Sequence, residues 1–147
     1  MGEKISQVDY YNLKEEILQR EQEIIGKYDY HHDNNTGLGK NSLTSRSKDY
    51  NLLEFDSAGE LRKDIRLLHD EFIKGVGFNF NGKIFVQCWA NVMRKGQRIK
   101  KHCHGFGQYA YLSGHLCVQV NEDLYPTSTH YYLSLIHISE PTRRSTI

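Results

Sequence analysis

A chain of 147 residues, 38% hydrophobic and 25% charged, is sized for one globular domain with its own core, and its composition is neither that of a disordered nor of a membrane-embedded protein. A formal net charge of +1 gives no global field to attract nucleic acid or an anionic membrane. No apolar run approaches the ~20 residues of a spanning helix, and the polar N-terminus is no secretory leader. Cys88, Cys103 and Cys117 are odd in number and lack C-x-x-C spacing, which suits reduced thiols in a cytoplasm better than a disulfide framework. Met1-Gly2 with Ser6 formally fits a myristoylation pattern, a match too short to carry weight.

Taken in order, Ser6 to Ile25 predicts a helix, with Leu13, Ile17 and Ile24 near one face, Gly26 placed to end it, and Glu15, Glu16, Glu21 and Glu23 on its solvated side. Residues 27–55 turn polar. The Thr36-Gly37-Leu38-Gly39-Lys40 stretch lacks the remaining Gly and the terminal Lys-Ser/Thr of a phosphate loop, so that reading is rejected. His31-His32-Asp33 reads as an exposed polar loop before it reads as a metal site. Asp56 to Lys74 predicts a second helix, started by a capping box over Ser57-Ala58-Gly59-Glu60, carried by a Leu61, Ile65, Leu68, Phe72 stripe with His69 at its boundary, and stopped by Gly75.

Asn81-Gly82 is a hairpin signal. Beyond it Ile84, Val86, Cys88, Ala90 and Val92 alternate with Phe85, Gln87, Trp89, Asn91 and Met93, a pattern expected of a strand covered on both faces. Lys95-Gly96 turns the chain into an extended segment holding His102 and His104, and Tyr109 to Val120 reads as a further strand. The expected class is therefore α+β, with helices over 1–80 and a β-rich part over 81–132. Leu133 to Arg143 resembles one translated frame of a transposase-type sequencing adapter, so 133–147 is set aside as a non-native tail and His137 is excluded as a ligand.

The chemistry concentrates at His102-Cys103-His104. Side chains alternate along an extended segment, so both imidazoles fall on one face and Cys103 on the other. Two imidazoles on a rigid scaffold, with open positions beside them, are the start of a transition-metal site. Gln87, Trp89 and Asn91 share a strand face and either line a candidate pocket, with Ser113, or simply pack. His115, Cys117 and Cys88 match no zinc-finger spacing.

Trp89-x-Asn91-Val92-Met93-x-x-Gly96, His102-x-His104 and Leu112-Ser113-Gly114 together resemble a group of 2-oxoglutarate/Fe(II)-dependent oxygenases common in bacteria and their phages. Thr36 to Arg46, Tyr50-Asn51-Leu52 and Thr127 to Tyr131 also look like that group. The resemblance implies a double-stranded β-helix, a jelly-roll relative, here partial and incomplete at the C-terminus. It implies Fe(II) held by His102 and His104, 2-oxoglutarate as co-substrate, hydroxylation of a small-molecule or protein substrate, and a cytoplasmic setting in a bacterial or phage-infected cell. It also implies a distal histidine and a basic 2-oxoglutarate partner in later strands. Before Leu133 only His130 offers itself, so the chain reads as an inactive fragment of an oxygenase. H-x-H replaces the superfamily's usual H-x-D/E, and the gap to Leu112 is longer than in the group.

Cupins provide the alternative: Gly96 and His102-Cys103-His104 fit the opening of their first motif, Gln108 stands where Glu is expected, and Gly114 falls one residue early. That reading predicts metal or small-ligand binding without 2-oxoglutarate chemistry. Arg94, Lys95, Arg98, Lys100 and Lys101 cluster ahead of the histidines, either as a solvated turn or as steering for an anionic substrate. Phe106, Tyr109 and Tyr111 could stack on bases, but balanced charge argues against a nucleic-acid partner.

Overall fold

The computed structural model describes residues 10–102 and 112–119. In chain order these form helix α1 (Tyr11–Lys27), three 3-10 turns (Thr44–Arg46, Leu52–Glu54, Asp56–Ala58) and helix α2 (Gly59–Gly75). Apolar side chains at helical spacing make α1: Leu13, Ile17 and Ile24 are all buried against the rest of the chain. Leu43, Leu52, Phe55, Ala58, Leu61 and Ala90 complete that core, and Tyr50, Cys88, Val92 and Leu116 pack around it. The loop and short turns between the helices therefore supply as much of the core as the helices do.

α2 starts without its capping box. Ala58, not Ser57, holds the N-cap position, and no side chain caps the helix. Ser57 instead gives its amide (2.9 Å) and hydroxyl (2.6 Å) to the Glu16 carboxylate of α1, while Glu60 takes Lys63 at 2.6 Å. The entry to α2 is thus tied to α1 rather than to itself. Arg62 reinforces it by donating to the carbonyls of Leu53 (2.6 Å) and Phe55 (3.3 Å).

The end of α2 is a Schellman motif. Phe78 N–H bonds the Ile73 carbonyl at 3.0 Å, Gly77 N–H bonds that of Lys74 at 3.1 Å, and Gly77 adopts φ +70°. The stop is Gly77, two residues beyond the Gly75 expected from sequence. Only the first half of the apolar stripe is covered: Leu61 is 7% exposed and Ile65 half-buried, whereas Leu68 and Phe72 are 48% and 42% exposed. His69 is buried rather than at a boundary, its ring edge-on to Phe80 at 5.9 Å.

The expected partial double-stranded β-helix is corrected by the structure. Among the described residues there is no strand and no sheet, and Asn81-Gly82 forms no hairpin. Residues 84–92 do alternate, but only one face is covered: Ala90 is buried and Ile84, Val86, Cys88 and Val92 half-buried, while Phe85 is 94% and Met93 50% exposed. The physical reason is the partner. Among the described residues, this segment is bonded to the side chains and turns of the 36–52 loop rather than to a neighbouring strand. Asn51 acts like a peptide group: its amide nitrogen donates to the Val86 carbonyl (2.8 Å), its oxygen accepts from Cys88 N–H (3.2 Å), and Leu52 N–H bonds the Cys88 carbonyl (2.8 Å). No described helix is long and apolar enough to cross a membrane.

Candidate functional site

The loop from Tyr28 to Tyr50 is the platform to which Gln87, Asn91 and the segment leading to His102 are bonded. Its first part is organised by one carboxylate. Asp33 accepts from the Thr36 hydroxyl and from the amides of Gly37 (2.7 Å) and Gly39 (2.9 Å), glycines that stand at φ +84° and +88°. Burial works against the Asp33 charge, but these donors and nearby Lys100 outweigh it and hold the carboxyl below its ordinary pKa.

Arg46 locks the second part. It is 1% exposed, and its guanidinium donates to the Tyr28 carbonyl (2.8 and 3.1 Å), the Ser42 carbonyl (3.4 Å) and the Ser45 hydroxyl (2.6 Å) while lying over the Tyr30 ring at 4.8 Å. No described carboxylate lies within ion-pair distance of it, so the buried charge is held by carbonyl dipoles and a ring face. Tyr30 in turn donates its hydroxyl to Asp49, whose carboxylate raises the tyrosine pKa.

Two of the candidate pocket residues, Gln87 and Asn91, are bonded to this platform. Gln87 donates to the carbonyls of Ser47 and Tyr50, both at 2.8 Å. Asn91 accepts from the Thr44 hydroxyl at 2.8 Å. Trp89 is half-buried on the same segment, and Ser113 is exposed in the 112–119 stretch. Gln87 and Asn91 are thus fasteners between segments. Ala90 N–H donates to the Tyr50 hydroxyl at 2.8 Å, and burial pushes that hydroxyl up to about 12.

From Asn91 the chain reaches His102 through a turn closed by Gln97 N–H on the Arg94 carbonyl (2.9 Å), with Gly96 at φ +80° as a type II turn requires. Lys100 N–H then bonds the Thr36 carbonyl at 2.8 Å. A Cβ on Gly37 would sit 3.0 Å from the Arg98 carbonyl oxygen and 2.9 Å from Lys100 Cγ, so this crossing needs a glycine. The basic cluster is partly spent here: Arg94 makes a two-pronged pair with Glu21 (2.6 and 2.9 Å), and Lys100 reaches Asn35 at 3.2 Å.

His102 is exposed, and its Nδ1 lies 2.8 Å from the Lys100 carbonyl. A carbonyl only accepts, so Nδ1 is the donor in this contact, and Nε2 is the ring nitrogen a metal would take. Cys103, His104 and His130 lie outside the described residues, as do Phe106, Gln108, Tyr109 and Tyr111. Among the described residues no three His, Cys, Asp or Glu side chains gather in a way that could hold a metal ion. His102 is the described half of the expected His102–His104 pair.

Beside the platform lies a cavity of about 460 Å³, lined by Asp29, Tyr30, His31, His32, Thr36, Thr44, Ser47 and Lys48 among others. Sequence reasoning treated His31 and His32 as an exposed loop and did not find it. No family model, curated protein or solved structure matches the chain.

Proposed function

We propose that the chain is part of a 2-oxoglutarate/Fe(II)-dependent oxygenase, with His102 and His104 as iron ligands. The observation that carries this reading is the joining of the two blocks on which the resemblance rests. Thr36–Arg46 and Tyr50–Leu52 are bonded to the Trp89–Gly96 region and its flanks through Thr44–Asn91, Gln87–Tyr50, Asn51–Cys88 and Thr36–Lys100. The joined unit presents His102 with Nδ1–H already engaged, the arrangement that orients a metal-binding imidazole. Bound iron would supply the oxidising chemistry, coupling 2-oxoglutarate decarboxylation to hydroxylation of a substrate C–H bond. The chain's own contribution is to fix the tautomer and position of His102 and to exclude rotation of the segment that carries it.

The test is succinate formation from 2-oxoglutarate, with Fe(II), ascorbate and oxygen, by the uninterrupted gene product containing these residues. Turnover abolished by His102→Ala and by His104→Ala is the expected result. Metal binding at His102 without any 2-oxoglutarate consumption would replace this reading with that of a metal-binding domain.

A further inference from the structure

We propose that the cavity beside the Tyr28–Tyr50 loop is a binding site for a nucleoside monophosphate, independent of the iron reading. Two of its walls are rings. The Tyr30 and His32 rings are nearly parallel, at 14° between planes, with centroids 6.5 Å apart. Two near-parallel rings offer flat faces on which a base can stack.

The rest of the lining has unspent polar chemistry. The hydroxyls of Tyr30, Thr36 and Thr44 already donate within the protein, to Asp49, Asp33 and Asn91. The ammonium of Lys48, the His31 imidazole, the Ser47 hydroxyl and the Asp29 carboxylate line the same space and have no hydrogen-bond or ion-pair partner among the described residues. An ammonium and an imidazole suit a phosphate monoester, and a carboxylate with a hydroxyl suits the diol of a ribose. A volume of about 460 Å³ is in the range of small-ligand sites and accommodates one nucleotide. The walls are held from behind: Arg46 lies over Tyr30, and the Asn34 side chain donates to the Ser45 carbonyl at 2.7 Å.

The experiment is calorimetric titration of the metal-free chain with AMP, adenosine and inorganic phosphate in parallel. AMP should bind at least about tenfold tighter than either part alone, because base and phosphate are recognised at separate groups. Lys48→Ala should weaken AMP by about fivefold or more while leaving adenosine unchanged. His32→Ala should weaken AMP and adenosine alike, by about fivefold or more, and His32→Phe should restore both, since a flat wall is what the base needs. Lys48 and His32 are exposed, so these variants leave the core intact. No AMP binding up to about 5 mM, phosphate binding as tightly as AMP, or AMP affinity indifferent to both alanine variants would overturn the proposal.

Discussion

At the residue scale, three positions carry more than their neighbours. Gly37 allows the Lys100 strand of chain to cross at contact distance while its own backbone is left-handed, so Gly37→Ala meets both a strained φ and a nearby carbonyl oxygen. A loss of roughly 1–3 kcal/mol in urea unfolding is expected, against little change for Gly26→Ala, which has open space and sits in a helix. Arg46 is the second. Its removal leaves the Tyr28 and Ser42 carbonyls without their donor, and Arg46→Met should cost about 3 kcal/mol or more. Arg46→Lys should not rescue it, because a single ammonium cannot span carbonyls that a planar fork reaches at once. Asp33 is the third, and its effect depends on pH. Its folded pKa lies below the unfolded value, so its contribution is fully present above the unfolded pKa of about 3.9 and is lost as pH falls through the folded pKa. Glu16 shifts the same way: burial opposes its charge, and the Ser57 hydroxyl and amide outweigh it. Wild-type urea midpoints should therefore drop below about pH 4, and Asp33→Asn should lower the midpoint at neutral pH while flattening that acid slope.

At the scale of elements, both helices were legible because a 3.6-residue apolar period admits few other structures. Leu13, Ile17 and Ile24 are buried as their spacing required. What the same spacing also contained was Glu21, which falls on that stripe and is 3% exposed, not on the solvated face. A carboxylate at an apolar-stripe position signals a cation arriving from elsewhere, here Arg94, whose pKa the Glu21 carboxylate raises. Arg94→Ala strands a buried carboxylate and should destabilise by about 2–4 kcal/mol, while the double variant Glu21→Leu/Arg94→Ala should recover most of that loss. The β expectation failed for a different reason. Alternation reports which side of an extended segment is apolar, but not what its backbone will bond, and a loop rich in Asn, Ser and Thr can take a strand's place. Capping went astray likewise: Ser57 had the right neighbours in sequence, and Glu16 from another helix outcompeted them.

At the scale of the whole molecule, helices and the 84–100 segment are joined by side-chain fasteners rather than a ladder. Gln87, Asn91 and Asn51 sit at the joints, and Asn91 makes there the specific hydrogen bond that a polar residue on a mainly apolar segment implies. Such a joint should behave as a local unit. Asn51 alone supplies a donor to Val86 and an acceptor to Cys88 and Leu53, so its loss unfastens the segment from the helices. In the wild type, the amides of Leu52, Ala90 and Lys100, bonded across the joint, should exchange hydrogen slowly. In Asn51→Ala, protection at Leu52 and Ala90 should fall about tenfold or more, the equivalent of roughly 1–2 kcal/mol, while amides in the middle of α1 keep theirs. Asn51→Asp should be worse than Asn51→Ala, because a carboxylate set against the Val86 carbonyl repels where the amide donated. If instead all amides lost protection together in Asn51→Ala, the segment and the helices would form one cooperative unit, and His102 would be positioned by the core itself rather than by the joint.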